Sequence, residues 1–257
     1  MRTEEVKPYD EGREKGEQVG EMFDSIAPAY DFMNSAMTFG MHRLWRRKAL
    51  RMLNESLRAG PKEVLDIACG TGDVTFHLAR LFPEARVTGA DLSAGMLRVA
   101  RRKLAERHAG LADRIRFMEA DCLALPMADN SFGAVTVAYG VRNFQDLEGG
   151  YREMLRVLRP GGTLCVIELC EPKNAPMRFG YKLYTRTLIP LAGRFLSGDR
   201  SAYTYLPRSI SACPQRGDMT SLMLRAGFCE ARYKVLFPST VGVYLARKGI
   251  ERIEPGV

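Results

Sequence analysis

The sequence feature that most constrains the fold is the stretch Val64–Asp73, which reads VLDIACGTGD. Its first six residues form an apolar run with one acid, a pattern typical of a strand that is buried on both faces of a parallel sheet. A Gly-Thr-Gly-Asp turn follows, and the apolar residues after it recur at helical spacing. Gly70 and Gly72 permit a tight turn and a close approach to a ligand, because glycine has no Cβ. The stretch therefore predicts a strand–turn–helix unit of an α/β sheet, the place where such sheets bind nucleotide-like ligands.

The residues around the turn indicate what kind of ligand it holds. A dinucleotide-binding turn has a third glycine three residues after Gly72, where this chain has Thr75, and a phosphate-binding P-loop needs a Gly-Lys-Ser/Thr run that the turn lacks. The turn has Asp66 before it and Asp73 within it but no Lys or Arg, so a ligand with a cationic end suits it better than a pyrophosphate. S-adenosylmethionine, with its ammonium and sulfonium groups, meets this requirement, although a Gly-x-Gly turn alone is weak support.

Acids also follow the next two predicted strands. The strand at 86–91 ends in Asp91, about 20 residues after Gly72, where an acid grips ribose hydroxyls in nucleotide-binding sheets. The strand at 115–120 is followed by another acid. Each aspartate alone is explained by a helix cap or a solvated turn, but acids at the carboxyl ends of three successive strands favour a cofactor site. We therefore expect cofactor contacts at Asp66, Gly70, Gly72, Asp91 and Asp121, with Cys122 lining the adenosine pocket by position.

Composition limits the remaining classes. The 257-residue chain fits one large domain, and it has neither a long apolar run nor a secretory signal pattern near its start, so we expect a cytoplasmic protein. Its six cysteines form no Cys-x-x-Cys pair and it has three histidines, so no metal site is expected. The net charge of +8 is compatible with nucleic acid, with an anionic membrane surface or with a solubilised surface. Without an aromatic-interleaved RNA-binding pattern, nucleic acid is not expected as a partner.

The order of patterns along the chain predicts one α/β domain. Residues 1–18 are charged and poor in large apolar residues, so we expect a disordered tail, followed by a single domain over 19–257 that opens with a helical region at 19–60. Strands and helices then alternate, which predicts a doubly wound, mainly parallel seven-stranded sheet with an antiparallel C-terminal edge strand. The predicted strands lie at 64–69, 86–91, 115–120, 132–139, 163–169, 228–236 and 240–247.

Residues 172–213 interrupt this alternation with apolar side chains that are interleaved with arginine and lysine. One interpretation is a helix that packs on the sheet. The other is a lid or an apolar pocket for a bilayer-soluble substrate, resting on a membrane surface. The pattern leaves both open. The helical region at 19–60 is expected to close over the cofactor and to carry part of the substrate pocket.

Taken together, these features resemble the class I S-adenosylmethionine-dependent methyltransferases, whose fold is Rossmann-like. More specifically, the chain is similar to the menaquinone and ubiquinone biosynthesis C-methyltransferase family over nearly everything from Val19 to Arg247. Single pieces of the pattern are common, but their combination is specific, and the Cys69 form of the turn is more like the menaquinone branch. The segments that carry the resemblance are Phe23–Asn34, Leu44–Arg46, Asp66–Asp73, Gly140–Asn143, Arg156–Gly162 and Tyr203–Ile210.

The resemblance implies C-methylation of a reduced, prenylated quinol ring, such as demethylmenaquinol or the ubiquinone precursor, with S-adenosylmethionine as the cofactor. It implies cofactor contacts at Thr71, Asp91, Asp121 and Cys122. Contact with the inner face of the cell membrane and a homodimer are further expectations.

Two positions depart from the family pattern. Ala138 stands where a serine often ends strand four, which leaves that cofactor contact open. Ala246 stands where a histidine commonly precedes the arginine of the closing strand, and Cys213 is followed by Pro214, so the fine choice of substrate stays open.

The turn Gly140–Asn143 supplies the candidate catalytic residues. A guanidinium stays protonated, so Arg142 suits stabilisation of the ring oxyanion that forms when a hydroxyl beside the nucleophilic carbon loses its proton. Asn143 is expected to orient the ring oxygen, and a purely structural turn is the alternative for both residues. A water, or Tyr30 or Tyr203 acting with a nearby acid, is expected to relay the proton.

Other functions remain open from the sequence. One is a methyltransferase that acts on another small apolar or phenolic acceptor, and another is a non-catalytic carrier of a cofactor or lipid. An RNA methyltransferase is disfavoured, because no Asn/Asp-Pro-Pro-Tyr/Phe run follows strand four.

Overall fold

A single mixed sheet forms the framework of the molecule. The structure is a computed structural model that describes residues 3–183 and 200–250, without the side chains of residues 182 and 200–203. Within these ranges the strands are β1 (Glu63–Ile67), β2 (Arg86–Asp91), β3 (Ile115–Glu119), β4 (Phe132–Ala138), β5 (Leu158–Leu169), β6 (Glu230–Leu236) and β7 (Val241–Arg247). They lie in the order β3-β2-β1-β4-β5-β7-β6.

The sheet confirms the predicted fold class. Strands β1 to β5 run parallel to one another, and β7 runs antiparallel to both β5 and β6. The antiparallel C-terminal strand is therefore present as predicted, but it lies between β5 and β6, so β6 forms the edge. The chain moves from β3 across to β4 on the other side of β1, which makes β1 the point where the strand order reverses. Ligands of open α/β sheets bind at the carboxyl ends of the strands beside such a point.

Helices cover both faces of the sheet. Adjacent residues of β1 show the alternation, since Val64 belongs to the core on one face and Leu65 to the core on the other. The described helices are α1 (Lys15–Ile26), α2 (Tyr30–Thr38), α3 (Met41–Ser56), α4 (Asp73–Leu81), α5 (Ala94–Arg107), α6 (Leu147–Val157), α7 (Ala175–Leu183), α8 (Arg200–Ala212) and α9 (Gly217–Arg225). Helices α3 and α4 pack in the first core, and α6 and α9 pack in the second.

Strand β5 begins earlier than the sequence predicts. The sequence predicts this strand at 163–169, but it already begins at Leu158 and includes the Arg-Pro-Gly-Gly run at 159–162. The amide of Gly161 donates to the Lys248 carbonyl, and the amide of Lys248 donates to the Gly162 carbonyl, both at 3.0 Å. These two bonds satisfy the backbone of the glycine pair from the chain just after β7, which keeps the segment in the sheet.

The N-terminal segment differs from the predicted disordered tail, because residues 3–18 pack on the domain. Thr3 and Val6 are buried, and the Lys15 ammonium donates to the carbonyl oxygens of Thr3 at 2.6 Å and of Arg142 at 3.0 Å. Gln18 is also buried, with its side chain bonded to four backbone groups of residues 9–13. The polar side chains that suggested solvation are bonded within the chain instead.

Part of the predicted 172–213 addition lies outside the described residues, which leave out 184–199. The described parts are helical, with α7 before the gap and α8 after it. Across the described ranges, none of the helices is both long and apolar enough to span a bilayer.

Candidate active site

The glycine turn has the backbone conformation that its sequence requires. Gly70 and Gly72 lie at φ values of 55° and 84° between β1 and α4. A Cβ on Gly72 would stand 2.9 Å from the Phe117 ring and 3.1 Å from the Phe76 ring, so a larger residue would collide with the core beneath the turn. The turn therefore needs glycine at position 72 both for its φ angle and for its packing.

Asp66 lies beneath this turn and is 1% exposed. Its two carboxylate oxygens accept hydrogen bonds from the Thr75 and Thr136 hydroxyls, each at 2.7 Å. Burial raises the pKa of the Asp66 carboxyl to about 6, against the opposing effect of the two hydroxyl donors. The structure places Asp66 where it ties β1 to α4 and to β4, and Asp66 lines the larger of the two cavities described below rather than the smaller.

Asp91 reaches the turn from the end of β2. One carboxylate oxygen accepts from the Gly70 amide at 2.7 Å, and the other accepts from the Ser93 amide at 2.9 Å. Burial raises the pKa of Asp91. Each oxygen keeps a further lone pair, so the carboxylate can still accept hydrogen bonds from a ligand.

A cavity of about 150 Å³ lies beside Asp91. Asp121 and Cys122, which follow β3, also line it, as the sequence predicts for a shared edge of the sheet. Asp121 is exposed and accepts from the Leu123 amide at 2.9 Å, while burial raises the pKa of the Cys122 thiol well above its usual value. Among the described residues, no Lys or Arg lines this smaller cavity. The carboxylates of this cavity accept hydrogen bonds and carry negative charge. They therefore suit a ligand with hydroxyls and a cationic end, and they do not suit a pyrophosphate.

A cavity of about 880 Å³ adjoins the smaller one. Its wall is assembled from segments that are far apart in the sequence: α1 to α3, the glycine turn, the end of β4, the β6–β7 turn, and the two described parts of the 172–213 addition. From that addition, Tyr181, Tyr205, Leu206 and Ile210 line the cavity. Most of the wall is apolar. Tyr30, Gly70, Ala138 and Tyr139 line both cavities and so mark where they meet.

Tyr30 stands at this boundary on α2. Its ring packs edge-on against Phe23, with the ring centroids 6.0 Å apart. Burial raises the pKa of the Tyr30 phenol. The phenol is therefore protonated near neutral pH and is a hydrogen-bond donor in its resting state.

Arg142 occupies a short 3-10 turn, Val141–Asn143, directly after β4. It is buried in the wall of the larger cavity, and its guanidinium donates to Glu168 Oε1 at 2.9 Å and to the Tyr139 carbonyl. Its Nε has no hydrogen-bond partner within the described parts of the chain. No role for Glu168 was predicted from the sequence, although an acid inside the apolar β5 pattern was the available signal.

The turn separates its two polar side chains. Arg142 lines the larger cavity and Asn143 lines the smaller one. The Asn143 Oδ1 accepts at 3.1 Å from the hydroxyl of Tyr205, a residue of the larger cavity's wall. The predicted cooperation of the two residues on one ring oxygen is therefore not what the geometry favours. Tyr203 lies in α8, and its side chain is outside the described residues.

Tyr139 is a residue that the sequence analysis missed. It has a φ of 60°, unusual for a residue with a side chain, and its ring lines both cavities. Its hydroxyl is buried and, across the described ranges, bonds to nothing. A buried hydroxyl without a partner is destabilising, so its presence beside a ligand cavity indicates a bond that forms when a ligand is bound.

A polar network holds the N-terminal helices over the glycine turn. The buried Lys103 ammonium donates to Asp31 Oδ2 at 2.9 Å and to Asp73, and Arg46 donates to Asp73 Oδ2 at 2.9 Å. The Thr71 hydroxyl donates to Asp31 Oδ1 at 2.6 Å, and this bond links the glycine turn to α2. The network anchors α2, α3 and α5 at one point above the turn.

Comparisons with known proteins agree with this architecture. The model of the ubiE/COQ5 methyltransferase family matches residues 11–250. A demethylmenaquinone methyltransferase of Porphyromonas gingivalis is 47% identical over 246 residues, which cover 95% of this chain and 98% of that protein. The ubiquinone/menaquinone biosynthesis C-methyltransferase UbiE of Hahella chejuensis is 41% identical over 239 residues, 93% of each chain.

A solved structure shares the fold. Phosphoethanolamine N-methyltransferase 2 of Haemonchus contortus, in complex with S-adenosyl-L-methionine, has a TM-score of 0.57 and 15% identity, over 79% of this chain and 52% of that one. At this identity the likeness shows the fold alone, because one fold supports many functions.

Proposed function

This chain belongs to the ubiE/COQ5 methyltransferase family, and we propose that it methylates a ring carbon of demethylmenaquinol, the reduced, prenylated precursor of menaquinol. The family makes it an S-adenosylmethionine-dependent methyltransferase of menaquinone and ubiquinone biosynthesis. The observation that carries the proposed acceptor is a mostly apolar cavity of about 880 Å³ that adjoins an acid-lined cavity at the carboxyl edge of the sheet. A prenylated quinol combines a ring that carries oxygen atoms with an apolar tail, and the larger cavity suits both parts.

The smaller cavity fits S-adenosylmethionine in its chemistry. Asp91 would accept from the ribose hydroxyls, Asp121 and Cys122 would border the adenosine, and the Gly70–Gly72 turn allows a close approach of the backbone. When bound, the cofactor supplies an electrophilic methyl group. The chain must then hold the acceptor carbon in line and exclude water, which is the task of the helices anchored through Asp31 and Lys103.

Arg142 is the group we assign to the acceptor oxygen. The ring carbon becomes nucleophilic when the neighbouring hydroxyl loses its proton, and the resulting oxyanion needs a fixed positive charge. Glu168 and the Tyr139 carbonyl hold the guanidinium in place, and its Nε has no partner within the described parts of the chain. Arg142 acts as a preorganised donor, since a guanidinium does not accept a proton.

The two tyrosines at the boundary supply further donors. Tyr30 is held protonated by burial and is suited to pass a proton on rather than to remove one by itself. Tyr139 carries an unpartnered hydroxyl at the same boundary and is a second donor for the acceptor oxygens. Asn143, on the cofactor side, is assigned to the smaller cavity.

We extend the proposal to how the acceptor arrives. The described parts of 172–213 supply apolar walls of the larger cavity, which supports a role of this addition as a substrate lid. Because a quinol with a long prenyl tail resides in the bilayer, the enzyme would meet it at the inner face of the cell membrane.

The test is methyl transfer from labelled S-adenosylmethionine to a chemically reduced demethylmenaquinol analogue, with a demethylated ubiquinol analogue in parallel. We expect product on the naphthoquinol and less on the benzoquinol, since the demethylmenaquinone enzyme above is the more similar of the two relatives. Cofactor binding without turnover of either ring would contradict the proposal and favour another small apolar or phenolic acceptor.

A further inference from the structure

Three large apolar side chains are exposed around one corner of the molecule. Phe39, between α2 and α3, is 85% exposed, Leu44 on α3 is 60% exposed, and Phe237 in the β6–β7 turn is 81% exposed. Phe39 has a left-handed backbone with φ of 48°, a conformation that bulky residues rarely adopt. The left-handed conformation ends α2, with the Phe39 amide donating to the Ala36 carbonyl at 3.4 Å, but the exposure of the three side chains does not improve the packing of the chain itself. Exposed apolar side chains of this size are typical of a surface that binds a partner outside the chain.

The three side chains belong to segments that line the larger cavity. Phe39 and Arg43 line that cavity, and so does Pro238, the residue after Phe237. The indole nitrogen of Trp45 donates to the Phe237 carbonyl at 2.8 Å, which places the β6–β7 turn against α3. We name Phe39, Arg43, Leu44 and Phe237 the cavity rim. Phe39 and Arg43 are exposed and line the cavity, so the cavity reaches the surface there. Leu44 and Phe237 do not line the cavity; they lie next to Arg43 and Pro238 in the sequence.

The exposed charges of the cavity wall that lack an ion pair are positive. Arg43, Arg80 and Arg107 line the larger cavity and are exposed, and within the described ranges none of them forms an ion pair. Two other cations of the wall, Arg46 and Lys103, are instead neutralised by aspartates. The larger cavity therefore combines exposed apolar side chains in the segments of its rim with uncompensated positive charge on Arg43 of the rim and on two other arginines of its wall. Apolar side chains beside positive charge are the composition of a surface that enters the headgroup region of an anionic bilayer.

We propose that the cavity rim docks on a bilayer that contains anionic lipid, so that the prenylated acceptor passes from the membrane directly into the larger cavity. This inference rests on the proposed function and names the surface that serves it. It places the contact on the α2–α3 corner and the β6–β7 turn. The aromatic and aliphatic side chains would insert among the acyl chains while the arginines meet lipid phosphates.

The experiment measures co-sedimentation with vesicles of phosphatidylcholine and phosphatidylglycerol, and with vesicles of phosphatidylcholine alone. We expect wild-type protein to partition about tenfold more strongly to the anionic vesicles. The double variant Leu44→Ser/Phe237→Ser should partition about tenfold more weakly than wild type, because two apolar side chains no longer insert. The matched control is Leu224→Ser, since Leu224 is 46% exposed on α9, which packs on the opposite face of the sheet. It should partition like wild type.

Orientation is tested separately with the single tryptophan of the chain, Trp45. Brominated acyl chains quench tryptophan that lies near them, so Trp45 emission should fall when wild type or Leu224→Ser binds the anionic vesicles. Binding without quenching would mean that another face touches the membrane and would overturn the proposal. Equal partitioning of wild type and the rim variant, or no vesicle binding by wild type, would overturn it as well.

Two measurements keep this result distinct from the proposed function and from misfolding. Leu44→Ser alone changes an exposed helix residue and should show a smaller loss of partitioning in the same direction. Methyl transfer to a water-soluble acceptor with one isoprene unit should be equal for wild type and the double variant. If this acceptor is not methylated while the rim still governs vesicle binding, the proposed acceptor fails and the docking surface stands.

Discussion

The two adjoining cavities differ in how the chain builds them. The glycine turn and the acids of the smaller one directly follow β1, β2 and β3, and a bond such as that between Gly70 and Asp91 joins neighbouring strand ends. Residues after β4 and from the N-terminal helices complete its wall. The larger one is made by segments from both ends of the chain and the middle. A cofactor site of the first kind is fixed by the sheet itself. An acceptor site of the second kind depends on helices and turns that are held by a few polar contacts, so it can change shape and specificity without disturbing the sheet.

The largest effect is expected from removing the side chain of Arg142, which lines the larger cavity and not the smaller one. Arg142→Ala should lower kcat by about 10²–10³, the usual effect of losing a donor to a developing oxyanion, and leave the Kd for S-adenosylmethionine unchanged. Single-turnover methyl transfer and calorimetric cofactor binding measure the two quantities.

The control for this variant deals with its buried partner. Removing the guanidinium leaves the Glu168 carboxylate buried without its counter-charge, which is destabilising in itself. The double variant Arg142→Met/Glu168→Gln removes both charges and should regain thermal stability but not turnover. Recovery of turnover together with stability would show that Arg142 only supports the fold.

The variant Asp91→Ala tests the smaller cavity. It should raise the Kd for S-adenosylmethionine about 100-fold, because two charge-assisted hydrogen bonds to the ribose are lost. Asp91→Asn keeps one oxygen that can accept the Gly70 amide and should weaken binding less. A Kd equal to that of wild type in Asp91→Ala would place the ribose elsewhere.

The same difference explains what the sequence could predict. The fold class, the glycine turn and the acids at the strand ends follow from local sequence patterns. The structure contains the predicted fold and brings Asp91, Asp121 and Cys122 to one cavity. Asp66 shows the limit of this reasoning. Its place at a strand end is correct, but only the structure reveals that two threonine hydroxyls occupy its oxygens.

The contacts around the larger cavity could not be predicted from local sequence patterns, because they join residues that are distant in the sequence. The Lys15 ammonium reaches the Arg142 carbonyl across 127 residues of sequence, and Arg142 meets Glu168 across 26. A lysine in a charged N-terminal segment is usually solvated, so its burial could not be expected. The turn Gly140–Asn143 was recognised as functional, but its sequence does not show that Arg142 and Asn143 enter different cavities.

A smaller effect is expected at Asp66, which supports the cofactor side. Its pKa is about 6 in the folded protein against 3.8 for an unperturbed carboxyl. The folded state therefore holds the proton to higher pH than the unfolded state, and the stability that Asp66 contributes below pH 4 is lost as pH rises to about 6. Asp66→Asn does not titrate, so its unfolding free energy relative to wild type should rise by on the order of 3 kcal/mol across that window. Urea unfolding at several pH values measures this, and a constant difference would contradict it.

The smallest effect is expected at Tyr139, which lies at the boundary between the two cavities. In the free protein the Tyr139 hydroxyl is buried without a partner in the described parts of the chain, so Tyr139→Phe should raise the unfolding free energy by about 1 kcal/mol. If the hydroxyl donates to the acceptor oxygen during turnover, the same variant should lower kcat about 2- to 10-fold, the value of one neutral hydrogen bond. Tyr151→Phe is the matched control, since that buried phenol donates to the Met219 sulfur and is away from both cavities. A Tyr139→Phe enzyme that is more stable and equally active would show that the hydroxyl has no role at the boundary. Greater stability with slower methyl transfer would mean that the Tyr139 hydroxyl is left unpaired in the free protein because it donates a hydrogen bond to the bound acceptor.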